Sequence, residues 1–213
     1  MEITNKDAAI VVTNIIHSIK QNREYLSEID GAIGDGDHGV NMSKGFSMAE
    51  EILTNKDFNM SEGFLIISQV LMEKIGGSMG PLYGSFFRGL SVASKKSQII
   101  DKNVISKMLD KALTNLQNIS SAKVGDKTLM DVILPAVNAY NASIENDEDL
   151  DIALESLIKA GEEGLESTKN LVAVIGRASR LGSRSIGYQD AGATSCFIIL
   201  KSFSESIISL FNK

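Results

Sequence analysis

Apolar residues recur at three- and four-residue spacing along most of the chain, the period of a helix that buries one face. Thr4 or Asn5 is placed to cap a first helix whose stripe runs through Ile10, Val11, Ile15 and Ile19. A second helix is expected from about Asn41 through MSKGFSMAEEIL. A third opens at Ser61–Glu62–Gly63 and continues through Leu65, Ile66, Ser68, Leu71, Met72 and Ile75. Pro81 suits the first turn of a fourth, where a missing N–H costs nothing. Asp101 caps a fifth with the stripe Val104, Ile105, Met108, Leu109, Ala112, Leu113 and Leu116. A sixth runs from about Lys127 past Pro135, which should kink it. The acidic start of ENDEDLDIALESLIKAGEEGLEST suits the positive end of a seventh. An eighth covers about Gly192 to Leu210. Only LVAVIG at 171–176 reads as a strand, and it could equally extend the seventh helix.

About eight amphipathic helices with short joints predict an all-α, antiparallel bundle or barrel. The chain has 213 residues and no internal repeat or linker, so residues 1–213 are expected to form one domain. With no Trp and 6% aromatics, the core is expected to be aliphatic. The start MEITNKDAAI is unlike a signal peptide, no apolar run approaches a membrane span, and a lone cysteine cannot form an internal disulfide. These features point to the cytoplasm. A net charge of −6 argues against nucleic acid or an anionic membrane as partner. Cys196, in ATSCFIIL, reads as a small core residue.

Four glycine-rich polar blocks interrupt the helices: IDGAIGDGDHGVN, GGSMGPLYG, GDKTLMD and GRASRLGSRSIGYQDAGA. Glycine is costly inside helices and useful where backbone turns tightly or approaches a ligand. In an up-and-down arrangement these junctions gather at one end, which is the candidate site. Asp30, Asp35 and Asp37 fall within eight residues, a density of carboxylates that calls for a cation. Oxygen ligands of this kind suit Mg²⁺ completed by phosphate oxygens; the alternative is a solvated acidic loop. The Gly-Gly-Ser-Met-Gly turn before Pro81 offers backbone N–H groups to an anion, or is a plain helix-helix turn. Asp126, Lys127 and Thr128 stand at a helix start, where capping is the simple explanation. Arg177, Arg180 and Arg184 are either phosphate forks or a solvated helix face. His38 follows the aspartates directly and stands either at a phosphate or in a structural role.

Several familiar motifs are excluded. GDGDHG at 34–39 fits G-x-G-x-x-G literally, but no βαβ pattern surrounds it. As a P-loop it fails because Val40 and Asn41 stand where Lys and Ser/Thr are required. As an EF-hand it fails at Gly39 and Phe46, the fifth and twelfth positions.

Taken in order, IGDGDHGVNMSKG, GGSMGPLYGSFFRG, GDKTLMDV and GRASRLGSRSIGYQDAGATS resemble the ADP-binding L subunit of bacterial dihydroxyacetone kinases. The resemblance covers essentially the whole chain and implies eight antiparallel helices in a barrel with the nucleotide at one end. It implies that Asp30, Asp35 and Asp37 hold two Mg²⁺ ions. It also implies that His38, Gly39, Val40, Asn41, Ser78, Met79, Leu129, Arg177, Asp190, Ala191 and Gly192 bind ADP or ATP. Arg177 is then the candidate charge stabiliser, and no Ser-His-Asp or Cys-His constellation suggests a covalent nucleophile on this chain. Ala191 stands where the family often has proline, and a contact at Ser120 is left open because SSAKVGDKT lacks a common glycine.

In that family dihydroxyacetone is held by a separate K domain, for which 213 residues leave no room. The resemblance therefore implies a K subunit as partner, and in phosphotransferase-system versions an M subunit that rephosphorylates bound ADP in place. A free-ATP donor and a homodimer stay open. Two other classes are an all-α metal-dependent nucleotide pyrophosphatase and a nucleotide-sensing partner of a transcription regulator.

Overall fold

The computed structural model describes residues 2–212. Nine α-helices are present among the described residues: α1 (Ala9–Gln21), α2 (Arg23–Ile33), α3 (His38–Leu53), α4 (Met60–Lys74), α5 (Met79–Ser94), α6 (Lys102–Ile119), α7 (Met130–Glu145), α8 (Leu150–Ser167) and α9 (Ala191–Phe211). Two 3-10 segments, Thr168–Asn170 and Arg177–Ser185, lie between α8 and α9. Apart from an isolated bridge between Thr4 and Ile99, there is no β structure among the described residues. Each helix from α3 to α8 packs on its successor, and α1 packs on both α9 and α3, so the ring closes into a barrel.

One helix, α2, has no counterpart among those the apolar pattern predicts. Its sequence REYLSEIDGAI buries only Leu26 and Ile33, too sparse a stripe to register as periodic. It ends just before the aspartate loop and so carries Asp30. α3 begins at His38 rather than Asn41, and α7 at Met130 rather than Lys127. LVAVIG is neither strand nor helix; it is irregular chain flanked by the 3-10 segments.

The expected faces shift in places for identifiable reasons. In α1 the buried set is Val11, Val12, Ile15, Ile16 and Ile19, leaving Ile10 exposed. Asn5 does not cap α1. It is buried, donates from Nδ2 to Ser61 Oγ at 2.7 Å and accepts from the Ser61 amide at 3.1 Å, tying the N-terminal segment to α4. The cap of α4 is Asn59, in a reciprocal capping box with Glu62. That helix buries Phe64, Ile67 and Leu71, so Met72 faces outward. Asp101 caps α6 as expected, accepting from Val104 N at 2.8 Å, and the α6 stripe is buried from Ile105 to Leu116.

The interior is mostly aliphatic, but its centre is aromatic. Phe87 packs against Phe46 (5.6 Å), Phe64 (5.7 Å) and Phe86 (5.2 Å), and Phe64 reaches Phe203 at 6.4 Å. Bulky rings from α3, α4, α5 and α9 thus meet in one contact cluster in the core. Cys196 is buried in α9, and its thiol is pushed well above its ordinary range by burial. α9 is long and apolar enough to cross a membrane by length and composition, contrary to the sequence reading. Its buried positions face the barrel interior, and it packs against α1 and α8.

Candidate functional site

Because neighbouring helices alternate in direction, the joints α2–α3, α4–α5, α6–α7 and α8–α9 lie at one end of the barrel. They line a cleft of about 680 Å³. Its lining draws residues from all four glycine-rich blocks: seven between Asp30 and Asn41, seven between Gly76 and Tyr83, Lys127 to Met130, and Ile175 to Ala178 with Asp190 to Gly192. The N-termini of α3, α5, α7 and α9 therefore open on one space, which biases it toward negative charge.

The acidic block is the most concentrated feature. Carboxylate oxygens of Asp30, Asp35 and Asp37 all lie within 4.8 Å of one another. Asp30 reaches this point from the last turn of α2, and its Oδ2 accepts from the His38 amide at 3.2 Å, joining α2 to the start of α3. Asp35 and Asp37 come from the intervening loop, where Gly36 adopts φ +76° and lets the chain reverse. Arg177 faces them: its Nη1 pairs with Asp35 and stands 3.8 Å from Asp37. Three hard oxygen donors at this spacing fit a small divalent cation such as Mg²⁺.

His38 is buried, and its Nε2 lies 2.8 Å from Ser195 Oγ. Ser195 Oγ is 2.6 Å from the Tyr83 hydroxyl, which also reaches the Gly192 carbonyl at 2.9 Å. This polar chain crosses from α3 through α9 to α5; His38 and Gly192 are candidates in the sequence, whereas Tyr83 and Ser195 are not. Burial lowers the imidazole pKa from 6.5 to about 4, against an opposing pull from Asp30. The ring is therefore neutral at pH 7. Asp190 moves the other way: burial raises its pKa to about 6, although the Ala193 amide at 2.7 Å and the Lys127 charge favour its carboxylate.

These shifts have opposite consequences. A buried neutral histidine takes up its proton less readily than the unfolded chain, so stability is lost as pH falls from 6.5 toward 4. Asp190, protonated more readily when folded, loses stability as pH rises from 3.8 toward 6. In the difference between wild type and His38→Gln the Asp190 contribution cancels. Urea unfolding of metal-free protein should show that difference shrinking against wild type by up to ~3 kcal/mol between pH 6.5 and 4. A pH-independent difference would show that His38 titrates normally.

In GDKTLMD the cap of the expected kind comes from Thr128, whose Oγ1 accepts from the Met130 amide at 3.1 Å, and the preceding loop is held from inside α7. Asp131 accepts from Gly125 N at 2.6 Å through Oδ1 and from Thr128 N at 2.7 Å through Oδ2, while Asp126 only receives the Lys123 amide. Lys127 is buried, and its ammonium donates to the carbonyls of Thr168 (2.6 Å), Ser185 (2.8 Å) and Tyr188 (2.6 Å). Ser78 begins α5 with no side-chain cap, leaving that helix's first amides toward the cleft.

Of the residues singled out from the sequence, Asp30, Asp35, Asp37, His38, Asn41, Ser78, Met79, Leu129, Arg177, Asp190, Ala191 and Gly192 line the cleft, and Ser120 joins them. Gly39 and Val40 do not line it. Gly39 is turned toward α2, where a Cβ would overlap the Arg23 carbonyl, and the Val40 side chain is exposed. Their amides nevertheless belong to the first turn of α3, which has no side-chain cap. Arg180 lies to one side in a neighbouring hollow with Leu181, and Arg184 lines neither.

Fold and site together define an all-α barrel with a cleft at one end that gathers three carboxylates, an arginine and four helix N-termini. Residues 32–205 match the DAK2 domain. The chain is 34% identical over 192 residues to the PEP-dependent dihydroxyacetone kinase 1 ADP-binding subunit DhaL of Listeria innocua, covering 90% of this chain and 91% of that protein. It is 38% identical over 190 residues to the PTS-dependent dihydroxyacetone kinase ADP-binding subunit DhaL of Lactococcus lactis, covering 89% and 91%. The crystal structure of the C. freundii dihydroxyacetone kinase in complex with AMP-PNP and Mg²⁺ superposes with a TM-score of 0.70 at 22% identity. That match covers 93% of this chain, which spans about a third of the other (33%), and it bears on the fold. The chain belongs to the DAK2 domain family, the family of the DhaL subunits of dihydroxyacetone kinases.

Proposed function

We propose that this chain is the ADP-binding subunit of a PTS-dependent dihydroxyacetone kinase, working in the cytoplasm on dihydroxyacetone held by a separate K subunit, with an M subunit rephosphorylating the bound ADP. The reading rests chiefly on one observation: three carboxylates within 4.8 Å face Arg177 in a cleft ringed by helix N-termini. The names of the Listeria and Lactococcus relatives support it. We take residues 1–213 as one domain, because the helix ring closes on itself.

Asp30, Asp35 and Asp37 would hold Mg²⁺, two ions in our reading, and the metal when bound supplies charge neutralisation for the phosphates. Arg177 is held within reach of the same point and adds a fork for phosphate oxygens. Neutral His38, Ser78 and the first-turn amides of α3 and α5 line the anionic part. Asn41, Met79, Leu129 and the Asp190–Ala191–Gly192 turn form the remaining wall. Phosphoryl transfer asks for placement and charge neutralisation more than covalent work by the protein. The pyrophosphatase reading loses ground because two of the three carboxylates come from a loop and not from facing helices.

The test is mass spectrometry of the ligand released from purified protein, paired with a kinase assay. We expect ADP and magnesium in the protein, no phosphorylation of dihydroxyacetone by the chain alone, and activity on adding a K-type subunit with its phosphoryl donor. Protein free of nucleotide that hydrolyses ATP briskly by itself would overturn the assignment.

A further inference from the structure

We propose that Lys127 is a positioning residue that ties the 168–190 segment to the start of α7 and thereby sets how long a nucleotide stays in the cleft. The inference rests on the proposed nucleotide-binding function. An ammonium has three protons to donate, and Lys127 uses all three on main-chain carbonyls. The acceptors lie on both sides of Arg177 in sequence: Thr168 before it, Ser185 and Tyr188 after it. One side chain therefore gathers the two ends of the loop that carries the only arginine lining the main cleft among the described residues.

The local backbone is built for this reach. Lys127 has φ +61°, a left-handed conformation that a side chain as long as lysine seldom adopts and that persists only when its surroundings impose it. Asp131 imposes it by holding the amides of Gly125 and Thr128 on either side. Burial pulls the ammonium's pKa below its ordinary value, and the carboxylates of Asp190 and Asp131 oppose that pull.

The segment also has solvent-exposed side-chain ties to its surroundings: Arg177 pairs with Asp35, and Gln189 bonds to Tyr25 and Glu166. Its apolar anchor is a small cluster of Ala173 and Ala178 with Ile33, and Leu181 against it, whereas Val172, Val174, Ile175 and Ile186 are exposed. Among its backbone ties, Val174 N reaches Asp126 O at 3.2 Å, again at the start of α7, and Gly187 N reaches Lys169 O at 2.7 Å. A segment with few buried apolar contacts opens at low free energy unless polar ties restrain it. Asp190, which caps α9, sits at the end of the same segment.

The measurement is release of N-methylanthraniloyl-ADP from Mg²⁺-loaded protein, chased with excess ADP, in wild type, Lys127→Met, Lys127→Gln and the control Lys123→Met. Lys123 is exposed nearby in the chain. We expect release to quicken at least tenfold in Lys127→Met, less in Lys127→Gln, and not at all in the control, with far-UV circular dichroism unchanged. Wild-type release rates in the folded Lys127 variants would overturn the proposal. Loss of the helical fold in both would also overturn it, since Lys127 would then support the barrel and not the loop. If wild type itself fails to retain the probe, the nucleotide-binding reading fails first, and this inference falls with it.

Discussion

Asp35→Asn and Asp37→Asn should each weaken Mg·ADP binding by roughly 30- to 100-fold while leaving the metal-free protein folded. At an effective dielectric constant suited to a protein surface, a unit charge about 4 Å from another contributes ~4 kcal/mol, more against a dication. Both carboxylates are nearly half exposed, at 43% and 48%, so solvent reduces this to ~2–3 kcal/mol. The same substitutions also remove a pairing with Arg177 in the metal-free protein. Exposed ion pairs of that kind contribute only ~0–1 kcal/mol, so stability barely changes. If the block were merely an acidic loop, repulsion would already be offset by Arg177 and neither variant would affect nucleotide. Asp57→Asn is the control: Asp57 pairs with Lys6 on the exposed surface. Isothermal titration of Mg·ADP into the stripped proteins separates the readings, and equal affinity in wild type and all three variants would remove the metal assignment.

The sequence shows chemistry best where residues of one type crowd together. Asp30, Asp35 and Asp37 are close in sequence and remain close in space, so their spacing marks them as a group, with a solvated acidic loop as the competing reading. Arg177 lies far along the chain, and its place beside them follows only from knowing that four joints share one end of the barrel. Lys127 and Asp131 were hidden for a different reason. A buried lysine bonded to three carbonyls and a buried aspartate bonded to two amides look, in sequence, like ordinary polar residues at a helix start. The Tyr83–Ser195 chain was hidden because its partners come from helices that read as core stripes. α2 escaped notice because a helix needs few apolar residues when it merely covers the rim of a barrel; Leu26 and Ile33 suffice.

Gly39→Ala should lower the melting temperature of the metal-free protein by roughly 6–12 °C. The added methyl would overlap the Arg23 carbonyl and lie 2.6 Å from Ser27 Oγ and 2.7 Å from Ser27 N. Two of these three obstacles are backbone of α2, which cannot turn aside as a side chain can. The helices must separate, and overpacking of this kind costs ~3 kcal/mol or somewhat more. In a chain of this size each kcal/mol moves the midpoint by ~2–4 °C. Gly45→Ala provides the comparison about 1.7 turns further along α3. Its methyl would meet the ends of Leu71 and Ile75, at 2.5 Å and 2.9 Å, and flexible side chains can yield. Its loss should be clearly smaller. Separating α2 from α3 also pulls Asp30 from the His38 amide, so Gly39→Ala should bind Mg·ADP more weakly as well. A glycine needed only to bring an amide to the nucleotide would give the second effect without the first. Differential scanning calorimetry of stripped wild type, Gly39→Ala and Gly45→Ala therefore decides whether Gly39 acts through the packing of α2 on α3. An unchanged midpoint in Gly39→Ala would sink that account.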